Sequence, residues 1–499
     1  MVVVLDAAAY KAEAMRQLGD VSTYKILKFN PTDDFTQILS GLIFKAYTNG
    51  LINTKIRDYL IPTNVKIPVF HHLPKVHKAE RPPIGRPMVS GIMSLNERLS
   101  EFIDILLQPL VLRLTSYVRD TKHILQILGN FEWQNGFSWG TIDVTSLYSC
   151  IPHDKGLQTI SYHLDNYSSY DSVLKDFILD AILYLLTHNF FKFEGVFYLQ
   201  RCGTLMGAKF APTYANLYMG WWEESRIFGG EAPLLQHVVL YRRFVDDLLF
   251  VWRGTDFAFS QFVEFLNMND LNLKFTSEYG KTWITFLDLE LRCHGGFIET
   301  DVYRKPCAGN SLLRADSCHP GHLFKGIPLG QFCRLRRNCS TEASFVKQSC
   351  QLRDCFLSRG YTMKHLSPAF EGALNMDRQL LLHKSSGEMA GGVRGGPFIM
   401  EGKKDVPIFV TIYSRQFYKI KKIIQNLLPV LLNDPQLAPV VVDGCKFVSR
   451  RAPTLGNYLS PTVLKSAKAK ATWLNIKGTY PCGARRCITC AYVKCSTTF

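Results

Sequence analysis

The stretch YRRFVDDLLFVW, from Tyr241 to Trp252, constrains the fold most, because two adjacent aspartates interrupt residues that favour buried strands. LLFVW is continuously apolar and rich in strand formers, and HVVLYRRF before it has a similar character. The pattern predicts a strand, a tight turn and a second strand, with Asp246 and Asp247 at the bend. An exposed acidic turn is one explanation. The other is a divalent cation such as Mg²⁺, which prefers oxygen ligands and offsets the repulsion between the carboxylates.

The charge balance indicates the kind of partner. The chain has 499 residues, 47% of them hydrophobic, and a formal net charge of +16. Such an excess favours a polyanion, either nucleic acid or an anionic membrane. No apolar stretch approaches the roughly 18 residues that suggest a membrane span, and MVVVLDAAAYK does not resemble a signal peptide. Nucleic acid is therefore the expected partner, with no membrane, and the scattered cysteines are expected to be reduced thiols in an intracellular protein.

A third carboxylate is predicted in WGTIDVTSLYSCIPH, where Asp143 ends a predicted strand and a helix is expected from IPHDKGLQTI. A two-metal site for phosphoryl transfer needs ligands from more than one segment, and Asp143 would supply one. The alternative is that Asp143 caps the next turn. Tyr148 follows five residues later. Its ring could press on the sugar of a bound nucleotide and exclude a 2′-hydroxyl, or it could be ordinary packing.

Two glycines mark a predicted strand-to-helix junction in FYLQRCGTLMGAKFAPTYANLYMGWWE. Gly203 and Gly207 lie between the strand and a helix with apolar residues at helical spacing. Small residues at such a junction let the backbone approach a flat ligand closely, such as a templating base or a nucleotide. A packing junction without a ligand explains the glycines equally well.

The order of these stretches resembles the palm motifs of reverse transcriptases. TIDVTSLY, QRCGTLMGAKFAP and YRRFVDDLLF match in sequence and spacing. Further stretches resemble Penelope-like retroelement reverse transcriptases over nearly the whole chain: LPKVHK at 73–78, RPPIGRPMVSG at 81–91, FLDLEL at 286–291 and VYRKPCAGNSLLRADSCHPGHLFKGIP from Val302.

The resemblance implies an α+β fold of the right-hand polymerase type, with palm, fingers, thumb, an antiparallel palm sheet and a basic C-terminal connecting region. It implies an RNA-directed DNA polymerase that extends a primer 3′-hydroxyl with dNTPs, with an RNA template and a DNA or RNA primer as partners. Asp143, Asp246 and Asp247 would be catalytic and would hold Mg²⁺ or Mn²⁺. The substrate-binding residues would be Tyr148, Gln200, Gly203, Met206, Gly207, Lys75, Arg81 and Arg86.

Further basic residues have predicted roles in catalysis or in binding the duplex. Lys274 and Lys281 are weaker candidates for donating a proton to pyrophosphate. Arg304, Lys305, Arg334, Arg336 and Arg337 would contact phosphates of the template–primer duplex, which position a duplex without reading its sequence. In each case the alternative is an exposed, solvated charge.

The predicted domain organisation follows the same resemblance. The expected divisions are 1–140 for partial fingers and palm entry, 141–300 for the palm, 301–382 for a helical thumb-like region, 383–404 for a flexible linker, 405–480 for the basic connecting region and 481–499 for a cysteine cluster. The linker is rich in glycine and polar residues.

The two ends depart from the family pattern. Part of the fingers region and the GIY-YIG endonuclease domain of many family members have no counterpart, so truncation at both ends is expected. Cys482, Cys487, Cys490 and Cys495 have Cys-x4-Cys-x2-Cys-x4-Cys spacing. Four thiolates so close could hold a structural Zn²⁺. The alternative is a set of free cysteines.

Three other functions stay open from the sequence. The first is a catalytically inactive nucleic-acid-binding remnant of such an element. The second is an RNA-dependent RNA polymerase, which the aromatic residue at Tyr148 and the flanking motifs disfavour. The third is a structural or interaction protein that binds no substrate. A nuclear location is expected, because a retroelement enzyme must meet chromosomal DNA.

Overall fold

A computed structural model describes residues 3, 5–76, 83–230, 233–305, 308–383 and 406–452. Its helices are α1 (Ala7–Leu18), α2 (Thr32–Thr48), α3 (Thr54–Leu60), α4 (Glu97–Val111), α5 (Thr121–Gly129), α6 (Leu147–Cys150), α7 (His153–Tyr167), α8 (Ser172–Thr187), α9 (Ala211–Glu223), α10 (Asp256–Asn267), α11 (Gly321–Asn338), α12 (Glu342–Leu357), α13 (Met363–Leu374), α14 (Arg378–His383), α15 (Phe417–Leu431) and α16 (Ala438–Val441). A π-helical turn, Glu224–Phe228, extends α9, and a 3₁₀ turn, Leu235–His237, precedes β7.

The strands are β1 (Tyr24–Leu27), β2 (Phe70–Pro74), β3 (Gly85–Val89), β4 (Phe137–Val144), β5 (Phe190–Phe193), β6 (Val196–Gln200), β7 (Val238–Phe244), β8 (Asp247–Arg253), β9 (Phe275–Gly280), β10 (Trp283–Phe286), β11 (Leu289–His294), β12 (Phe297–Val302), β13 (Ile408–Ile412) and β14 (Lys446–Arg450). The central sheet has the order β7-β8-β4-β9 and is antiparallel throughout. Smaller antiparallel sheets have the orders β1-β6-β5, β10-β11-β12 and β2-β3.

The prediction of a mixed fold of helices and antiparallel sheets is confirmed. One pair of strands differs, since β13 and β14 run parallel and α15 lies between them in the chain. In the predicted connecting region, the pattern of PIFVTIYSRQFYKIKKIIQNLLPVLLND predicts a strand followed by a basic amphipathic helix, and these correspond to β13 and α15. The predicted linker at 383–404 lies outside the described residues except for His383, which ends α14 rather than beginning a linker.

The hairpin of β7 and β8 forms where the sequence predicts it. Phe244 pairs with Asp247, so Val245 and Asp246 form a two-residue turn. The continuous apolar run of β8 is explained by burial on both faces, because alternate side chains of a strand point to opposite sides. Leu248, Phe250 and Trp252 belong to one hydrophobic cluster, and Leu249 and Val251 belong to another.

Helix α9 lies deep in the larger cluster. It follows the Gly203–Gly207 junction, has a proline in its first turn, where a missing N–H has no cost, and buries nearly all of its side chains. Its neighbours include α4 and α7. A helix that is apolar on all sides needs such surroundings. Because the surrounding elements fix the position of α9, they also fix the end of the glycine junction that leads into it.

The helices after residue 320 have a core of their own. Phe332 on α11, Phe345 on α12 and Phe356 at the end of α12 are buried together. Apolar residues recur at three- and four-residue intervals from Glu342 to Gly360, which predicts a helix there; the structure has α12 over Glu342–Leu357. Among the described residues, no helix is long and apolar enough to cross a membrane.

Gly156 is the point of closest packing between α7 and α9, and it gives a stability test. A Cβ atom there would lie 1.6 Å from the Tyr214 hydroxyl oxygen. Gly156→Ala should therefore lower the free energy of unfolding by about 1–3 kcal/mol through overpacking, as measured by denaturant titration. The Tyr214 hydroxyl is buried and has no hydrogen-bond partner, so Tyr214→Phe added to Gly156→Ala should recover part of the loss.

Gly41 provides the matched control. It is exposed within α2, and a Cβ atom there would meet nothing within 4 Å. Gly41→Ala should raise the free energy of unfolding by about 0.5–1 kcal/mol, because alanine suits a helix interior better than glycine. An equal loss from Gly156→Ala with and without Tyr214→Phe would contradict the packing argument.

Candidate functional site

The central sheet brings the three predicted aspartates together. Asp143 near the end of β4 pairs with Asp247 at the start of β8. The Val144 amide donates to the Asp246 carbonyl oxygen at 3.0 Å. Hydrogen-bonded and non-hydrogen-bonded pairs alternate in an antiparallel ladder, so Asp143 and Asp247 form the closer, non-hydrogen-bonded kind. Side chains of such pairs have Cβ atoms about 4.5–5.5 Å apart, and like charges there repel.

The protonation of these carboxylates reflects that repulsion. Burial, followed by the nearby Asp246 and Asp143, raises the pKa of Asp247 to about 6, and Lys305 acts in the opposite direction. Burial also raises the pKa of Asp246, while its own backbone N–H and the charge of Arg86 lower it. The site thus holds acidic groups whose ionised forms are destabilised in the absence of a cation.

The turn that carries Asp246 has an unusual backbone. Val245 has a φ of 54°, a region that β-branched residues rarely adopt. Its neighbour Asp246 is not among the residues with positive φ. A positive φ at only the first central residue is characteristic of a type II′ turn, which normally has glycine there. Strain of this kind persists only where surrounding structure imposes it, and it concentrates at functional sites.

The donor chemistry of the three aspartates fits a divalent metal. No group of three or more histidine, cysteine, aspartate or glutamate side chains closes around one point in the described part of the chain. Mg²⁺ does not require a closed protein cage, since it keeps several waters and is commonly bound by one or two carboxylates together with substrate phosphates. Burial raises the pKa of both Asp246 and Asp247, and the neighbouring aspartates raise that of Asp247 further; a bound cation would favour the ionised forms.

Tyr148 lies beside this acidic cluster. Its side chain is half-buried, and burial together with the nearby Asp246 raises the pKa of its hydroxyl to about 12. Its backbone carbonyl accepts from the Thr204 amide at 2.7 Å. The backbone of Tyr148 therefore contacts the glycine-bearing junction, and its hydroxyl is within electrostatic range of Asp246.

Gly203 and Gly207 are required by close backbone contacts. Gly203 has a φ of +67°, and a Cβ atom there would lie 2.3 Å from the Tyr148 carbonyl oxygen. Gly207 has a φ of +132°, and its Cβ atom would lie 2.4 Å from the Val89 carbonyl oxygen on β3. Neither position could accept a side chain without moving main chain. At the junction predicted from the sequence, each glycine thus packs directly against the backbone of another segment. This packing alone requires glycine, with or without a ligand.

Gln200 and Met206 have structural contacts on the same loop. Gln200 is buried at the end of β6, and its side-chain amide donates to the Cys202 carbonyl oxygen at 2.8 Å. The Met206 carbonyl oxygen accepts from the Val89 amide at 3.3 Å. Their predicted role in substrate binding stays a prediction.

The structure describes some of the basic residues predicted to bind substrate, namely Arg86 and Lys75. Arg86 is exposed on β3, opposite Leu73 on β2, and its charge acts on Asp246. The Lys75 amide donates to the Ile84 carbonyl oxygen at 2.8 Å, which closes the same hairpin. Lys78, Arg81 and the four cysteines Cys482, Cys487, Cys490 and Cys495 lie outside the described residues.

The two candidate proton donors lie at different ends of the sheet. The Lys274 carbonyl oxygen accepts from the Thr145 amide at 2.8 Å, two residues beyond Asp143. Lys281 follows Gly280, which pairs with Trp139 toward the other end of β4. Four residues of β4 separate Trp139 from Asp143, about 13 Å at the usual rise. The structure therefore keeps Lys274 near the aspartates and separates Lys281 from them.

Lys305 is brought to the site although the sequence suggested duplex contacts for it. Its charge lowers the pKa of Asp247, so it lies within electrostatic range of the carboxylates. Lys305 could be recognised in the sequence as a basic residue after β12. Its closeness to Asp247 on β8 could not, because it depends on the tertiary path of the chain after β12.

The comparisons with known proteins give one partial family match. An animal helix-turn-helix domain model matches residues 311–371, a segment that includes α11 and α12. No curated protein matches this chain. The matched segment is a small part of the chain, so it does not define the family of the whole.

Several solved structures are similar at low identity. An apo telomerase from Candida tropicalis, truncated from the C-terminal domain, is 13% identical with a TM-score of 0.36, over 54% of this chain and 60% of that one. A Candida albicans telomerase in complex with a fragment of telomeric RNA is 10% identical with a TM-score of 0.47, over 74% and 64%. The BmCPV RNA-dependent RNA polymerase at quiescent state is 10% identical with a TM-score of 0.36, over 67% and 30%. The chain thus spans less than two thirds of each, and similarities of this size define neither a family nor an activity for it.

The raised pKa of Asp247 predicts a specific pH dependence of stability. An unfolded aspartate has a pKa near its ordinary value of 3.8, whereas folded Asp247 has a pKa of about 6. The folded state therefore holds the proton more tightly, and wild-type stability falls as pH rises from about 4 to about 6. Asp247→Asn removes this loss, so its advantage in free energy of unfolding should grow to about 2–3 kcal/mol by pH 8.

Denaturant unfolding at pH 4, 6 and 8 measures this difference. Asp176→Asn, which replaces an exposed aspartate on α8, is the matched control and should show no such growth. A difference between Asp247→Asn and wild type that stays constant across the three pH values would contradict the prediction.

Proposed function

We propose that this chain is an RNA-directed DNA polymerase of the Penelope-like type, with a right-hand architecture of palm, fingers and thumb. The observation that carries the proposal is the convergence of Asp143 and the Asp246–Asp247 turn at one end of the central sheet, beside Tyr148. This is the arrangement that the sequence motifs imply, and the chemistry of the site suits phosphoryl transfer, which depends on positioning and electrostatic stabilisation more than on covalent catalysis.

The aspartates would provide the oxygen ligands. Asp143 and Asp246 would hold the metal, and Asp247 would assist by ligation or by its charge. Bound Mg²⁺ or Mn²⁺ would supply acidification of the primer 3′-hydroxyl and neutralisation of the charge that develops on pyrophosphate. The strained turn at Val245 would keep Asp246 in a fixed position at the end of the β7–β8 hairpin.

Tyr148 and the glycine junction would select and seat the nucleotide. The ring of Tyr148, whose hydroxyl is within electrostatic range of Asp246, would occupy the space that a ribose 2′-hydroxyl needs. Gly203 packs against the backbone of Tyr148 and Ser149 so closely that no side chain fits there, which supports a fixed main-chain position for Tyr148. This favours a DNA polymerase over an RNA-dependent RNA polymerase, which is the second candidate that uses paired aspartates.

The cations near the acidic cluster would receive phosphates. Arg86 and Lys305 act electrostatically on Asp246 and Asp247. An arginine suits phosphate oxygens through its fork of donors, and a lysine acts as a point charge. The α11–α13 helices would form the thumb that holds an RNA template paired with a DNA or RNA primer. A nuclear location follows from the proposal, because such an element must reach chromosomal DNA.

The main alternative is an inactive nucleic-acid-binding remnant, and primer extension separates the two. Purified protein on poly(rA)/oligo(dT) with dTTP should extend the primer in the presence of Mg²⁺ or Mn²⁺. Asp143→Asn and Asp246→Asn should each reduce extension by at least about 10²–10³-fold, because each removes charge that stabilises the transition state. Both variants should keep duplex affinity within a few-fold of wild type. Extension by both variants at the wild-type rate would contradict the assignment, and duplex binding without extension by wild type would favour the remnant.

The predicted role of Tyr148 has its own test. Tyr148→Ala should raise incorporation of rNTPs relative to dNTPs by about tenfold or more, equivalent to at least about 1.4 kcal/mol in relative barrier. Single-nucleotide extension with matched rNTP and dNTP concentrations measures the ratio. Tyr148→Phe keeps the ring and should keep the wild-type ratio. If Tyr148→Ala has an unchanged ratio, Tyr148 is packing and not a sugar gate.

A further inference from the structure

Arg243, three residues before Asp246, is a fully buried cation whose donors are all engaged. Its side chain is 0% exposed. The guanidinium Nε donates to Glu223 Oε1 at 2.5 Å, and Nη1 donates to Asn216 Oδ1 at 2.7 Å. Nη2 donates to the Asn216 carbonyl oxygen at 3.2 Å, with Glu223 Oε2 3.4 Å away. A charge taken out of water is tolerated only when paired and hydrogen-bonded in this way.

The remaining donor of Arg243 reaches the turn itself. Nη1 also donates to the Val245 carbonyl oxygen at 3.1 Å. That carbonyl belongs to the peptide group that joins Val245 to Asp246. Val245 is the residue with the positive φ of 54°, so the guanidinium holds the strained peptide in place. Rotation of this peptide would change the direction in which Asp246 leaves the turn.

Glu223 is fixed independently of Arg243, so the support is rigid. Ser116 Oγ donates to Glu223 Oε2, and the Tyr241 hydroxyl donates to Glu223 Oε1, both at 2.5 Å. The main chain of Arg243 is also fixed, because its amide donates to the Ser116 carbonyl oxygen at 2.8 Å and its carbonyl accepts from the Val118 amide at 2.7 Å. The ion pair therefore connects the end of α9 to the Asp246 turn through contacts that leave little freedom.

We propose that Arg243 is a positioning residue for the metal site: through the Val245 carbonyl it sets the orientation of Asp246 and so the affinity of the aspartates for divalent metal. The proposal rests on the proposed function for the identity of the site. It goes beyond that function because Arg243 is fully buried and its donors are engaged by protein groups, so its effect on the site would pass through the turn. A purely structural ion pair would affect stability and leave metal affinity unchanged.

Arg243→Lys separates these two roles. Lysine keeps a positive charge opposite Glu223, but one ammonium group cannot replace a fork that reaches Glu223, Asn216 and Val245 together. We expect Arg243→Lys to weaken Mn²⁺ binding at least tenfold, as measured by the free Mn²⁺ signal in electron paramagnetic resonance. The Mg²⁺ concentration that half-saturates primer extension should rise by a similar factor, while duplex affinity stays within twofold.

Tyr241→Phe is the matched control. It removes a hydrogen bond to the same Glu223 and leaves the contact between Arg243 and Val245 in place. It should lower thermal stability and keep Mn²⁺ affinity within twofold of wild type. If Arg243→Lys does not fold, Arg243→Met combined with Glu223→Gln removes both charges. Glutamine keeps one acceptor oxygen and places an amide N–H donor where the second carboxylate oxygen was, and the hydroxyls of Ser116 and Tyr241 can donate to the first and accept from the second. This double variant should weaken Mn²⁺ binding to the same extent.

The two readouts distinguish failure of this inference from failure of the proposed function. Folded Arg243→Lys with wild-type Mn²⁺ affinity would overturn the positioning role, whether or not wild type extends primers. Mn²⁺ binding by wild type that Asp246→Asn does not weaken would also overturn it, since the metal would then lie elsewhere. Weakened Mn²⁺ binding without primer extension by wild type would support the positioning role and refute the polymerase activity.

Discussion

The pairing of β4 with β8 is the constraint on which the candidate site depends. Alternate side chains of β8 enter two different hydrophobic clusters, with Phe250 in one and Val251 in the other. A shift of one residue in the register of β8 would turn each side chain to the opposite face of the sheet, so that each set would face the other cluster. The register is therefore fixed by packing on both faces of the sheet. The same register places Asp143 directly opposite Asp247, so two like charges are held together by apolar residues that have no part in the chemistry.

The site is locally unfavourable, and the rest of the fold compensates for it. Asp247 is harder to ionise than a free aspartate, and Val245 has a backbone conformation that suits glycine. The opposing stabilisation is local and identifiable: the buried sheet, the largely buried α9 and the hydrogen-bonded ion pair of Arg243 with Glu223. Sequences usually agree with their fold at every level except where function requires otherwise. Two such exceptions within three residues are a physical reason to place function at this turn.

Periodicity and residue order predict the parts of the site that arise from local structure. The apolar runs around Asp246 predict the hairpin, and the apolar spacing at Glu342–Gly360 predicts α12, because both patterns are determined by the segment itself. The closeness of Asp143 to Asp247 could be expected only from the ordered motifs and their resemblance to a family. The parallel pairing of β13 with β14 was not predicted, since it joins strands separated by α15 and α16.

The contacts of Arg243 could not be predicted from the sequence, because they too join segments that are far apart in the chain. Arg243 occurs in a predicted strand beside Arg242, and nothing in YRRF shows which of the two is buried. Period-2 alternation allows either side chain to face inward. The answer depends on Glu223, twenty residues earlier in the chain, and on Ser116, which lies before β4. An interaction between segments so far apart becomes visible only when the sheet and α9 are assembled.

These contacts join the glycine junction, Tyr148 and the aspartate turn into one mechanical unit. Gly203 packs on the backbone of Tyr148, and the loop that follows it leads into α9. Asn216 and Glu223 on α9 then hold Arg243, which holds the peptide before Asp246. Residues that share partners in this way show non-additive effects when substituted together. A displacement of the loop at Gly203 thus has a continuous path of direct contacts to Asp246, in addition to the direct proximity of Tyr148. The orientation of the turn therefore depends on the same helix into which the Gly203 loop leads, which is why residues that lie away from the aspartates are expected to control it.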